Sequence, residues 1–175
     1  MTVTVDQAFD ALSARATIET NPRIQPLMLA KYVERLIGRP APKDLADFYA
    51  KQISAVGDFA SVAPVWKPYT GWVSQGWDLD MLLHVDAIPL FGDGCGSVFG
   101  VDVSTEDDHP AVYFFDHEGV YEKANYAAGS SIGAFLLLLA DHDRAVLDHW
   151  PPAWELKIDP DIDKCPRAPP IWLAG

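Results

Sequence analysis

Apolar residues recur at helical spacing in three stretches near the start of the chain. Phe9, Leu12 and Ala16 share one face of residues 5–16, with Asp6 in the first turn, and predict a short amphipathic helix. TNPRIQP (20–26) breaks it. Leu29, Tyr32, Val33, Leu36 and Ile37 then form one stripe of a second helix, 27–37, which should stop at Gly38. After the linker RPAP, Pro42 opens a third helix over 42–54, with Leu45, Phe48, Tyr49 and Ile53 on its inner face.

Beyond residue 59 the period shifts toward two, through Val62, Val65, Trp66, Tyr69, Trp72 and Val73. Pro64 and Pro68 lack the N–H that a central strand must donate, so 59–74 is expected as edge strands or an irregular connection. QGWDLDMLLHVD (75–86) predicts a short helix. Strands follow over 88–91, 97–103 and 111–115, the last two joined by the solvated loop STEDDHP in an antiparallel hairpin. GVYEKANYAA (119–128) predicts a fourth. Ser130 or Ser131 caps a helix over 132–147, whose run 135–139 is apolar nearly all round and should lie across the sheet. The tail from Trp150 is rich in proline yet holds Trp154, Leu156, Ile158, Ile171, Trp172 and Leu173, which should pin it across the core.

The chain has 175 residues, 49% of them apolar, enough for one domain with a sizeable core. The expected division is a helical extension over 1–41, a core over 42–145 and a packed tail over 146–175. The longest apolar run, 132–140, is less than half of the ~20 residues that span a bilayer. The first residues lack the basic head and apolar block of a secretory signal. Cys95 and Cys165 stand seventy positions apart without a CxxC, which suits reduced thiols. A cytoplasmic protein without a membrane span is expected.

Charge sharpens this. Residues 68–122 hold eleven acids and no lysine or arginine, while residues 1–67 sum to +1 and 123–175 to −2. Such a field repels nucleic acid and anionic lipid and steers basic partners toward the surface.

Candidate chemistry clusters in IPLFGDGCGSVFGVDV (88–103). As a dinucleotide site it fails, because Ser97 stands where GxGxxG needs glycine and a strand follows rather than a helix. No lysine lies nearby to hold phosphate, and Asp93 would oppose one. Cys95 has acidic neighbours, which disfavour a thiolate, so it reads as a small buried residue. Gly92 and Gly94 are expected at positive φ in a turn between strands, with Gly96 allowing a close approach. GSSIG (129–133) matches GxSxG, but Asp141 and His142 lie on the same helix as the serine, and a helix cap explains these serines with fewer demands. Asp107, Asp108, His109, Asp116, His117 and Glu118 could hold a cation, yet they match no known metal spacing.

The order of these pieces, PKDLADFYAKQ, IPLFGDGCGSVFGVDV, AVYFFDHE and SSIGAFLLLLADHD, resembles the SUKH superfamily over about residues 42–145. That superfamily groups a fungal cell-wall-synthesis regulator with many bacterial toxin-immunity proteins. The family's usual Asn-Gly-Gly after the early helix is absent here. The resemblance implies an α+β fold, a mainly antiparallel sheet of about five or six strands with helices packed on one side. It also implies binding rather than catalysis: masking of a toxin, often a secreted nuclease or deaminase, without a cofactor or metal.

Joined with the charge, this makes a basic toxin domain the expected protein partner. The expected contacts are Asp107, Asp108, Asp116 and Glu118, with an exposed Trp72 or Trp77 as the apolar anchor. Two rivals remain: a regulatory or scaffold domain that engages a host protein through the apolar tail, and a small hydrolase or metal-dependent enzyme. The last requires His109, His117 or Cys95 to converge in one pocket.

Overall fold

A computed structural model of the chain describes residues 2–14, 18–63, 65–67, 71–73, 78–147 and 153–171, with the backbone alone at 65–67, 71–73 and 142–147. Helix α1 (Val5–Ser13) begins with a capping box, in which Thr4 and Gln7 satisfy each other's backbone N–H groups. Strand β1 (Ile18–Thr20) separates it from α2 (Pro26–Ile37). That helix opens on a proline and ends on Gly38 in the left-handed region, where other residues are strained. Its expected stripe is narrower than the pattern implies: Leu29 and Val33 are buried, whereas Tyr32 is exposed.

The third helix is shorter than its periodicity. In α3 (Lys43–Ala50) Pro42 is the extended residue before the first turn. Gln52, at φ 54°, then reverses the chain, and Ile53 opens β2 (Ile53–Val56). Ile53 is buried as expected, but from a strand. A position four after Tyr49 satisfies the helical stripe and the strand face alike.

The main sheet has seven strands, not five or six. Its order is β1, β2, β3 (Phe59–Ser61), β6 (Ala87–Gly92), β7 (Val98–Asp102), β8 (Val112–Phe115) and β9 (Tyr126–Gly129), every neighbour antiparallel. The extra strands are β1 and β2, three and four residues long. Against expectation, β3 is interior, between β2 and β6, because the prolines fall after it. The chain then forms a separate two-stranded ribbon, β4 (Val65–Lys67) with β5 (Gly71–Val73). Residues 78–86 make turns and a single 3-10 turn, Leu83–Val85, in place of the expected helix. The expected strand over 119–128 is formed only from Tyr126, since Val120 and Tyr121 take positive φ in the preceding turns.

Alternate residues of β7 and β8 serve two cores. Phe99, Val101 and Val112 join a cluster that holds the buried side chains of α1, α2 and α3 and most of those of α4 (Ile132–Leu147). Val98, Tyr113 and Phe115 face the other way, against Leu82, Ala127, Ile162 and Ala168. Helices thus cover one face, and residues around Leu82 and Ala87 with the tail cover the other. Burial on both faces makes β6, and β7 as far as Val101, continuously apolar rather than alternating.

Ser131 caps α4: its Oγ accepts the Ala134 N–H (3.1 Å) and donates to the Val3 carbonyl (2.9 Å). Ser130 instead meets the tail, its N–H and hydroxyl both donating to the buried Asp159 carboxylate at 2.6 Å. Tail residues 153–171 run through two 3-10 turns, Trp154–Lys157 and Ile162–Lys164, and Pro170 bridges to Ala127 beside β9. Among the described residues no helix is long and apolar enough to cross a membrane.

Candidate functional site

The glycine-rich hairpin between β6 and β7 is closed by its own aspartate. Asp93 Oδ1 accepts the N–H groups of Cys95 (2.8 Å) and Ser97 (3.0 Å), so the amides that would cradle a phosphate are already occupied. Gly94 (φ 78°) and Gly96 (φ 113°) need the left-handed freedom, and a Cβ on Gly96 would press on the His117 ring at 3.2 Å. Gly92 does not: it is an ordinary strand residue, paired with Ala60 and Val98. Cys95 is exposed at the hairpin rather than buried. Cys165 is the half-buried thiol, pushed up to about 12 by burial and then by Asp159, which disfavours a thiolate.

The predicted contact acids divide into two groups at opposite ends of β8. Asp107 and Asp108 precede that strand, while Asp116 and Glu118 follow it, about 13 Å of strand away at 3.3 Å per residue. At the first end, Asp107 Oδ1 accepts the His109 N–H (2.9 Å) and the Asp108 carbonyl accepts the Asp44 N–H (3.0 Å). The Arg39 guanidinium donates to the Val103 carbonyl (2.8 Å) and to that of Thr105. The loop is thereby clamped from below while its acids face water. At the second end, Asp116 Oδ1 accepts the Glu118 N–H (2.9 Å). Trp77 and the side chain of Trp72 lie outside the described residues.

Ser97, Asp116 and His117 meet, with Ser97 Oγ 2.9 Å from His117 Nδ1 and Asp116 Oδ1 3.4 Å from the same nitrogen. A relay needs the serine and the acid on opposite ring nitrogens, so this group ties a hairpin to a turn. Cys95 and His117 stand at this end of the sheet, whereas His109 is at the other, held by Asp44. Ser131, the GxSxG serine, is buried and engaged as a helix cap. Among the described residues no three histidine, cysteine or acidic side chains are grouped to hold a metal ion.

Asp44 is fully buried; its Oδ1 accepts from His109 Nδ1 (2.9 Å), and its Oδ2 has no partner among the described residues. Burial raises its carboxyl above the ordinary range, opposed first by the His109 hydrogen bond and charge; Asp47 adds to the rise and Lys43 subtracts. A raised carboxyl in the folded state binds a proton that the unfolded chain has released. Its contribution is therefore present at low pH and lost as pH rises through the folded value. Asp44→Asn should remove that loss, so urea titrations from pH 4 to 7 should show the variant gaining steadily on the parent. A pH-independent difference would contradict the assignment.

The structure also brings together a site that the sequence did not announce. Phe59, Phe99, Phe114 and Tyr126 form a row across one sheet face, with successive ring centroids 5.8, 5.2 and 4.7 Å apart. This row, the first two turns of α4 and the tail around Trp154 and Glu155 line a cavity of about 350 Å³. Glu155 is 95% buried, and its Oε2 has no hydrogen-bond partner among the described residues. Burial raises its carboxyl, with its own backbone N–H and the Trp154 indole acting the other way. In sequence Glu155 is one more tail acid; only the tertiary path of the tail puts it beside the aromatic row.

No family model, curated protein or solved structure matches the chain.

Proposed function

We propose that the chain is a non-catalytic binding domain for a basic protein, of the immunity type that the SUKH resemblance implies, and that it neutralises its partner by masking it. The observation that carries this reading is the clamped acidic loop between β7 and β8. Glu106, Asp107 and Asp108 are exposed, and none is paired with a lysine or arginine among the described residues. Arg39, the cation beneath them, is engaged by carbonyls. A rigid, unneutralised anionic projection draws a cationic surface in quickly and pays little ordering entropy on contact. A nuclease toxin is a fitting partner, because the cations that hold its polyanionic substrate are the ones this loop would cover.

The rival reading through the tail has little exposed apolar surface over the described residues 153–171, and Trp150, Trp172 and Leu173 lie outside them. Ile162 and Ala168 are buried and Trp154, Leu156 and Ile158 pack on the second core; of the large apolar tail residues described, Ile171 alone is exposed.

The test is association with basic nuclease domains encoded beside this chain. Asp108→Lys combined with Asp107→Asn, which keeps an acceptor for the His109 N–H, should slow association about tenfold at low salt. The difference should vanish near 0.5 M salt. Absence of binding to every such domain at both salt concentrations would remove the reading.

A further inference from the structure

The aromatic cavity is chemically one-sided. Among the described residues its charged lining is Asp93 and Glu155, with no lysine, arginine or histidine. Both acids act on the Tyr126 phenol, whose proton they help to retain after burial has raised it. Asp93 Oδ1 is occupied by the hairpin amides, whereas Glu155 Oε2 is a buried acceptor that nothing among the described residues satisfies. A buried acceptor without a donor costs stability unless something brings one. Phe114 and Tyr126 lie stacked, with 15° between their planes, so each ring covers one face of the other and keeps one outer face. Such faces attract cations, and Trp154 adds an indole to the lining.

We infer that this cavity binds a small organic amine, whose ammonium N–H donates to Glu155 Oε2 while an apolar body of about one aromatic ring lies along Phe114, Tyr126 and Leu138. The two acids disfavour carboxylates and phosphates. The volume is at the lower end of small-molecule sites, which excludes large ligands. Partly exposed Ile171 lines the cavity toward solvent. This site is separate from the clamped β7–β8 loop, so either assignment can fail without the other.

Calorimetry and amide-shift mapping on the full chain test it, with benzylamine, 2-phenylethylamine and 3-phenylpropylamine, each beside the matching alcohol and carboxylate. At least one amine should bind about tenfold or more tighter than its alcohol. The carboxylates should not bind, and shifts should centre on Tyr126, Ala128 and Glu155. Glu155→Gln, equal in shape, should lower amine affinity about tenfold to the level of the alcohol and change the alcohol less than twofold. Ala128→Phe, which fills the cavity, should abolish both. Equal binding of amine and alcohol, no binding of any amine, or an unchanged amine affinity in Glu155→Gln would each overturn the proposal. The first two outcomes need no variant and so do not depend on a variant's folding.

Discussion

Gly133→Ala should destabilise the fold by about 2–3 kcal/mol, even though alanine favours an exposed helix interior by about 1 kcal/mol over glycine. Gly133 stands in the first turn of α4, where the start of the chain crosses it. A Cβ there would press on the Val3 carbonyl oxygen and come within 2.5 Å of the Thr4 oxygen. Both obstacles are backbone, and Thr4 is the residue whose side chain caps α1. Relief requires moving the α1 cap away from α4, which also stretches the Ser131 hydroxyl bond to Val3. Overpacking of this kind costs about 1–3 kcal/mol, and a lost buried hydrogen bond about 1 more, against the helix-propensity gain. In a chain of this length the net loss lowers Tm by roughly 5–10 °C. Gly119→Ala is the control: its Cβ would meet only Asp116 O, at an ordinary 3.6 Å, and should change little. Urea denaturation of the two variants decides the matter. Equal stability would mean that the two helices do not approach as closely as described.

The parts legible in the sequence are those whose cause is local. Asp93-Gly94 dictates a hairpin because a side-chain acceptor and a positive φ suffice to turn the chain, and the β-branched run after it needs no distant information to be extended. Ser131 and the apolar run behind it announce α4 in the same way. Strands β1 and β2 were illegible for the opposite reason. At three and four residues they are shorter than the windows that reveal a period, and pairing, as in Ile18 with Val56, makes them strands. Ile53 shows the ambiguity in a single residue, buried under either reading.

Function was less legible than fold. The acidic third is visible as composition, but its division between the two ends of β8 follows from strand register. The sequence places Asp108 and Asp116 eight apart, and only a strand between them separates their surfaces. His109 looked like a metal ligand or a base beside its acids, yet it reaches across 65 positions to buried Asp44. Glu155 was hidden most completely, since the burial of an Oε2 without a hydrogen bond among the described residues is a property of the tail's path, and a path of irregular turns has no period to read.

The same tail should detach in part when Arg167 loses its charge. Arg167 Nη1 donates to Asp102 Oδ1 (3.0 Å) and to the Asp86 carbonyl (3.2 Å), and Nη2 donates to Val85 O. The guanidinium also lies 5.7 Å from the centre of the Tyr113 ring. One side chain thus joins the tail to the end of β7 and to the turn before β6. Asp102 is nearly buried, and without the arginine its carboxylate keeps only the Ser104 N–H (2.8 Å) among its described partners. Removing one member of a buried pair costs about 3–5 kcal/mol. Because the Arg167 side chain is 23% exposed, water recovers part of this, and Arg167→Met should cost about 2–3 kcal/mol. Lysine should not rescue it, since one ammonium cannot reproduce a planar fork that serves three acceptors. Asp102→Asn should cost less, because the amide oxygen still accepts from Arg167. In the double variant Arg167→Met/Asp102→Asn no unpaired charge is left, so its loss should fall short of the sum of the singles by about 1–2 kcal/mol. Urea denaturation measures that coupling, and limited proteolysis should find the segment around residue 167 newly open in Arg167→Met. Additive losses with an uncut tail would show that Arg167 is a surface ion-pair member and that Asp159 with the Pro170 bridge holds the tail by itself.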